Sequence, residues 1–589
     1  MRVSGKFKVS AITIAVGSAL ASQQVQAATI NVTTTADGAP GTIAGQCTLR
    51  DAVYSASTET VPGDSSCVQG DAGYNQITFG VTGTITLDAG LGYLTVLYND
   101  LTISGPGADQ LTISGNGLTG LILASGASLA VSDLTLTEGG LVPAGEGGDP
   151  DPIAGGYYGS GIAAYACETL QISDVVISDS YSINGGGVAA FACDEVIIER
   201  SEITDNSAYV GGGGVSIVFA SQVTISETLI SGNQAPTAGG LYAGAVDQFF
   251  MEDSRISGNS AMLYAGGAFI AGPFSPDGPG PLHMEIINST IEDNDAGGYF
   301  GGLQAGGAPM TGQMSGSTIS NNSAGYGVGG FLLYTNAEPF PEGNGLFDIV
   351  NTTISGNSGE FVGGAGISGP ARVRHVTITD NVASDYIGGL YVTEDALIEN
   401  SIIADNQAGD EVNDLFVFDR DPEPAAGILA MGLNGWRAFH SGAASPHNTL
   451  PAGGLPPSGE ALISYSLVGD TDGFDEAPGS IGNIFGVSAG LGPLADNGGP
   501  TLTHALLAGS AAIDAGDPGF APPPAFDQRG AGFDRVVGGR IDIGSFELQG
   551  LTPFEPTPVP LLSPVGLAIG GGALFLLGLA GLRRRRTRH

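Results

Sequence analysis

The sequence predicts an all-β chain wound as a right-handed, single-stranded parallel β-helix. Three observations carry that expectation: a short motif that returns about every 25 residues, a glycine pair at a near-constant distance after it, and two cysteines one repeat apart. The chain has 589 residues, beyond the usual size of one compact core, so several domains or a repeating stack is expected. Glycine supplies 98 of them without a three-residue period, which excludes collagen. With 42% apolar and 13% charged residues, the chain is too apolar to be disordered and too glycine-rich for a helical bundle.

The repeat reads Ile-x-x-Asn, a few residues, then Gly-Gly and an apolar residue. Its asparagines are Asn206, Asn233, Asn259, Asn294, Asn322, Asn357, Asn381 and Asn406, separated by 27, 26, 35, 28, 35, 24 and 25 residues. Gly-Gly follows at Gly211, Gly239, Gly266, Gly301, Gly329, Gly363 and Gly388. β-Branched residues alternating with Ser and Thr read as strands, and one turn of a three-faced solenoid needs about this many residues. Turns stacked at ~4.8 Å place like residues in columns. An inward Asn at each rung can then pass an amide hydrogen bond from coil to coil, and Gly-Gly suits a tight corner. The two long gaps contain Pro- and Gly-rich insertions, Gly272–His283 and Thr335–Leu346, read as loops leaving a regular coil. Residues 77–490 would make roughly 12–15 coils, ~60–70 Å long.

The segments beginning at Gly161 and Gly187 align without a gap at an offset of 26, which puts Cys167 and Cys193 on successive coils. Stacked Cα atoms lie within disulfide range, so these two are expected to bond, leaving Cys47 and Cys67 to pair nearer the N-terminus. Four cysteines with no accompanying His cluster fit two bridges better than zinc.

Residues 1–27 have the parts of a secretory signal: basic Arg2, Lys6 and Lys8, apolar Val9 to Ala21, and Val25-Gln26-Ala27 before cleavage at Ala28. Residues 565–582 are uncharged and long enough to span a bilayer. Arg583 to Arg586 follow at once and would hold the tail, 583–589, in the cytoplasm. Between these ends lie ten arginines and no lysine against 59 acids, a net charge of −49. Such a body repels phosphate backbones, so nucleic acid is not an expected partner.

Thr557 to Gly566, TPVPLLSPVG within the Pro-rich linker 551–564 and the start of the apolar run, resembles the IPTL variety of PEP-CTERM-like sorting signals. That resemblance implies a temporary membrane anchor cut by a sorting protease. The Ile-x-x-Asn and Gly-Gly repeat resembles the repeats of polymorphic outer-membrane proteins, β-helical surface proteins of the pectate-lyase-like solenoid class. CTLRDAVYSAS, Cys47 to Ser57, is similar to the CSLREA motif found before such helices. Its Leu49, Ala52 and Val53 fall on one helical face, so a short helix capping the open end is expected within residues 28–76. Leu491 to Asp517, with Asp527 to Gly530 (DQRG) and Asp542 to Glu547 (DIGSFE), resembles the choice-of-anchor Q region, placed here at 491–550. These resemblances imply surface sorting and supply no catalytic residues.

A β-helix enzyme would need a carboxyl pair or a base beside calcium-binding acids. The histidines His283, His375, His440, His447 and His504 are scattered, and Arg372 with Arg374 is the best basic pair, read as bridging acids on an exposed strand. Asp205, Asp293, Asp380 and Asp405 precede ladder asparagines and suggest a turn preference. Calcium is the one cofactor considered, at Gly469 to Glu476, but the spacing of Asp470, Asp472 and Asp475 favours a polar turn. Candidate surface-contact residues are the aromatics Tyr209, Tyr264, Tyr299, Tyr326, Phe361 and Tyr386, which recur before Gly-Gly. Stacked, they would serve packing or, more sharply, an exposed strip for glycans. Leu141–Ser160 and Asp419–Ala461, the latter containing Trp436, are candidate contact loops. The expectation is an exported, membrane-anchored cell-surface protein for adhesion or envelope structure, touching surface glycans or a neighbouring cell. A polysaccharide lyase or glycoside hydrolase on the same scaffold is the alternative.

Overall fold

A computed structural model describes residues 28–140, 159–275, 278–307, 309–335, 347–393, 396–409, 412–418 and 458–549. The expected signal segment 1–27, the apolar stretch 565–582, most of the loops Leu141–Ser160 and Asp419–Ala461, and Trp436 lie outside them. No described helix is long and apolar enough to cross a membrane.

One coil shows how the others are built. Val188–Phe191 forms a first face, Glu195–Glu199 a second and Glu202–Thr204 a third. A short strand, Ser207–Gly211, then leads through glycine into the next first-face strand, Val215–Ser226, which runs on into the second face. Alternate residues point inward, so Val196 and Ile198 are fully buried while Glu195, Ile197 and Glu199 are not. Corners turn through left-handed backbone at Ala192, Arg200 and Asp205, with φ of 53°, 46° and 56°.

Successive coils pair in parallel and in register. Ile172 meets Ile198, Ile198 meets Ile225, Ile225 meets Met251 and Met251 meets Ile286. The three faces join one 37-stranded parallel array, and the short strands that follow Ser180 and each Asn from Asn206 to Asn381 make a separate 8-stranded ladder. The apolar columns fill the interior from Ile30 to Phe474 as one continuous cluster. At the Pro-rich insertion, Phe274–Ser275 and Gly278–Pro279 pair as an antiparallel excursion, and the coil resumes at Leu282–Ile287.

Two boundaries differ from the sequence expectation. The stack starts before residue 77, because Ala28–Val32 pairs in register with Tyr74–Phe79, Ile30 opposite Ile77. The residues between leave this first coil as an excursion that contains the helix Leu49–Thr58. A helical pattern inside a strand-rich stretch hid the strand on its N-terminal side. The second difference concerns residues 491–550, which do not simply follow the last coil. The final rungs pair Leu467–Val468 with Ile484–Phe485. From Ala489 the chain turns back and lies along the third face, reaching Thr377, Thr353 and Thr318 on earlier coils.

The CTLRDA stretch explains itself residue by residue. Cys47 is bonded to Cys67, and Thr48 caps the helix, accepting from the Asp51 backbone while Asp51 returns the bond. Leu49 and Ala52 are buried in the main interior cluster. Arg50 pairs with Asp37 at 2.9 Å and donates to the carbonyls of Gly92 and Tyr93 at 3.1 and 3.0 Å.

Candidate functional site

The eight repeat asparagines form a single buried ladder. From Asn233 on, each Oδ1 accepts both the backbone N–H and the side-chain N–H of the Asn one coil earlier, and Asn206 Oδ1 accepts from Ser180 N–H. Asn206 Nδ2 donates to Asn233 Oδ1 at 3.1 Å, and the bond recurs through Asn259, Asn294, Asn322, Asn357 and Asn381 to Asn406 at 2.9–3.0 Å. The remaining amide hydrogen goes to an interior carbonyl, as from Asn294 to Ile256 O at 3.0 Å. At the far end Asp414 replaces asparagine, and its Oδ1 accepts from Asn406 N and Nδ2 at 3.0 and 2.9 Å. Burial pushes the Asp414 carboxyl up to about 6.

The residue before each ladder Asn is held in left-handed backbone. Asp205, Asp293, Asp380 and Asp405 have φ of 56°, 54°, 57° and 63°, and Gly232, Gly258, Asn321 and Gly356 fill the same place. Asp, Asn and Gly tolerate that conformation best, so the recurring acids are corner formers.

A second ladder went unread in the sequence. Five residues before each Asn stands Ser or Thr: Ser201, Thr228, Ser254, Ser289, Ser317, Thr352 and Ser401, with Val376 the exception. Ser201 N–H donates to Thr228 Oγ1, Thr228 to Ser254 Oγ and Ser254 to Ser289 Oγ at 3.1–3.4 Å. Each hydroxyl in turn donates two residues back, as Ser289 does to Ile287 O at 2.8 Å. The signal was present in ERSEITDN, EDSRISGN and INSTIEDN. It was masked because Ser and Thr are common throughout the repeat.

The returning C-terminal segment is fixed by a buried polar seam. Gln528 accepts from Thr353 Oγ1 at 2.6 Å, and the two hydrogens of its Nε2 are shared among Ser317 O, Thr318 Oγ1 and Thr501 Oγ1, 3.0–3.1 Å away. Arg529 forks onto Asp527 and lies between the rings of Phe533 and Phe546, 3.9 and 3.8 Å from their centroids. Arg535 is fully buried, donating to Gly544 O and Asn351 Oδ1. Burial pushes Glu547 up to about 8 although it accepts from the backbone of Asp542 and Val537. DQRG and DIGSFE are therefore the two sides of one docking joint.

His504 sits in the same seam. Its Nδ1 donates to Gly492 O at 2.7 Å, which leaves Nε2 to accept from Ser355 Oγ at 2.8 Å. The pair has the heavy-atom geometry of a base beside a nucleophile, but both residues are buried at 1–2% exposure and no substrate reaches them. His375 is also buried, and burial first, then Arg535 and Arg374, holds it neutral.

The six recurring aromatics do not make one exposed strip. Tyr209 and Tyr326 are 70% and 45% exposed, whereas Tyr264 and Phe361 are buried at 8% and 5%. Tyr264 stacks on Tyr299 at 5.5 Å and Phe361 on Tyr386 at 5.0 Å, all joined to an apolar column that includes Phe300, Val328, Val362 and Ile387. Four of the six serve packing, and the strip reading is corrected there.

On the second face, Arg374 forks onto Asp348 at 2.5 and 3.0 Å and Arg372 reaches Glu399 at 3.7 Å. Asp470 accepts from Asn413 Nδ2 at 2.8 Å and from Asp472 N at 3.1 Å, a side-chain turn, while Asp475 enters a strand of the last coil. Among the described residues no group of three or more His, Cys, Asp or Glu is placed to hold a metal ion. The second cystine, Cys167–Cys193, joins neighbouring coils with Cα atoms 4.4 Å apart.

This geometry defines a parallel β-helix. Residues 160–344 match a family described as "Right handed beta helix region", which supplies the hand of the coil. No curated protein and no solved structure matches the chain.

Proposed function

We propose that the chain is an exported surface protein in which a stiff β-helix presents a contact face for adhesion or envelope structure, without catalysis. In this reading residues 1–27 direct export, and the helix Leu49–Thr58 closes the first coils. Residues 565–582 anchor the chain until a sorting protease releases it.

The observation that carries the reading is the continuous asparagine ladder, with a hydroxyl ladder beside it from Ser201 to Ser317. They use the buried polar side chains of coil after coil for coil-to-coil bonds, which makes a rod and leaves contact to its exterior. The acidic body keeps such rods apart and soluble.

The test is a glycan and polysaccharide array probed with residues 28–550 and read for binding and for new chain ends. Saturable binding without new ends is the expected result. Turnover of any polysaccharide would overturn the non-catalytic reading.

A further inference from the structure

In the coils around residues 222–315 the outward positions of the second face are exposed or half-buried. On the first face the outward Tyr242 and Phe269 are buried at 5% and 4% exposure. The third face of these coils is open as well, the Arg255 side chain being 54% exposed, and the C-terminal segment covers it from Thr318, which bonds Leu502 O.

Along the second face Gln222, Gln248, His283 and Thr311 stand in register on four successive coils. Phe250 lies in the next outward column, half-buried between inward Phe249 and Met251, its ring centroid 5.7 Å from that of His283. His283 is tied to Thr311 Oγ1 at 3.1 Å and to Glu285 at 3.4 Å, which fixes its ring. Asp247, Gln248, His283 and Thr311 floor a groove of about 450 Å³, walled by Pro281 and Pro309.

We propose that this groove binds an uncharged, extended oligosaccharide laid along the stack, an inference that rests on the contact function above. A half-exposed ring offers an apolar platform to the C–H face of a sugar. An amide, an imidazole, a hydroxyl and a carboxylate side by side supply both donors and acceptors to neighbouring hydroxyls. One pyranose ring is about as long as one coil step of ~4.8 Å, so a linear chain meets a fresh row of side chains at every sugar. Charge selects against uronates and sulfated glycans. Asp247 and Glu285 are acidic, and the face's Arg372 and Arg374 lie on a later coil, engaged with Glu399 and Asp348.

The full chain is titrated with neutral hexasaccharides (β-1,4-glucose, β-1,4-mannose, α-1,6-glucose) and with an α-1,4-galacturonate hexasaccharide. At least one neutral probe binds and the galacturonate does not. Phe250→Ala and Gln248→Ala, both at the surface and expected to leave the melting temperature unchanged, each weaken that binding tenfold or more. Tyr209→Ala, exposed elsewhere, leaves it intact. The proposal is overturned if no neutral probe binds, if the galacturonate binds better, or if both groove variants bind as wild type does. Adherence of the wild-type chain to intact cells is scored separately. Adherence that persists in the groove variants removes the groove and leaves the contact function standing, whereas wild-type chains that adhere to nothing remove the contact function.

Discussion

Replacing Asn294 with alanine tests the ladder at its centre. Asn294 is 1% exposed; its Oδ1 accepts from Asn259 N and Nδ2, both at 3.0 Å, and its Nδ2 donates to Asn322 Oδ1 at 2.9 Å and Ile256 O at 3.0 Å. In the variant Asn322 Oδ1 keeps the bond from the residue 294 backbone, 3.1 Å in the wild type. Two buried donors lose their partners, the Asn259 backbone N–H and one Asn259 amide hydrogen, while the Ile256 carbonyl keeps its place in the strand ladder opposite Ile291. At about 1–3 kcal/mol for each buried unsatisfied group, with a water in the vacated space recovering part, the loss is on the order of 2–4 kcal/mol. Ser289→Ala on the hydroxyl ladder orphans only Ser254 N–H, since Ile287 O also accepts from Asp253 N. Its loss is about 1–2 kcal/mol. A stacked array is stabilised between neighbours, so hydrogen exchange followed by mass spectrometry is the suitable assay. Protection should fall in peptides covering Arg255–Ala261, Thr290–Ala296 and Thr318–Ala324 and hold around Ile172. An Asn294→Ala loss below about 1 kcal/mol, or one no larger than for Ser289→Ala, would refute the ladder as a source of stability.

The seam gives a second prediction. Gln528→Ala deletes the acceptor of Thr353 Oγ1 and two amide hydrogens shared among acceptors on both sides of the joint, and limited proteolysis should then cut around Pro518–Pro524 much faster than in wild type, with the coils before Ser317 unaffected. Glu547 gives a pH signature: its folded pKa of about 8 lies above the ordinary 4.5, so the folded state holds its proton more tightly. That contribution is present below pH 4.5 and is lost as pH rises toward 8, so stability falls across the window. His375 acts in the opposite sense, its depressed pKa withdrawing stability as pH falls below 6.5. The difference between wild type and Glu547→Gln isolates the carboxyl, and denaturation midpoints from pH 5 to 8 should decline less in the variant. Replacing Cys167 and Cys193 with serine opens a 26-residue loop, and thermal melts should show a loss of about 3 kcal/mol, exceeded by reductant on the wild type, which opens Cys47–Cys67 as well.

Much of the stack was legible because columns are written directly into sequence. The Ile-x-x-Asn spacing put Asn206 to Asn406 on one line, and the 26-residue offset set Cys167 on Cys193. What stayed hidden depends on contacts distant in sequence. Nothing local marks Thr353 as the partner of Gln528, 175 residues on. The fate of the aromatics was equally hidden, since Tyr264 and Tyr209 occupy like places in the repeat. Tyr264 has Tyr299 stacked against it and joins the column beside Phe300, while Tyr209 remains 70% exposed.

The ladders also explain where the coil varies in length. The corner after the third face carries Asn, and from Asn206 to Asn381 it returns to Gly-Gly within five to seven residues. The corner between the second and third faces carries the Ser/Thr column and keeps one left-handed residue, as at Arg200, Glu227, Asp253 and Asn288. The corner between the first and second faces has no such column, and the segments 272–281, 336–346 and 419–457 all leave from it. Beyond the first coil with its excursion between Val32 and Tyr74, the remaining long segment, 141–158, leaves the third corner where Gly139 and Ser180 stand in place of Asn in the column, Gly139 N–H donating to Ser180 Oγ at 3.1 Å and Ser180 N–H to Asn206 Oδ1 at 3.0 Å. A side chain that must meet its counterpart one coil away fixes the corner length, because an inserted residue would strand two buried bonds. A corner without that demand can lengthen at little more than the slow entropic cost of a longer loop. Insertions therefore collect at the edge of the open second face, where Pro281 and Pro309 already wall the groove.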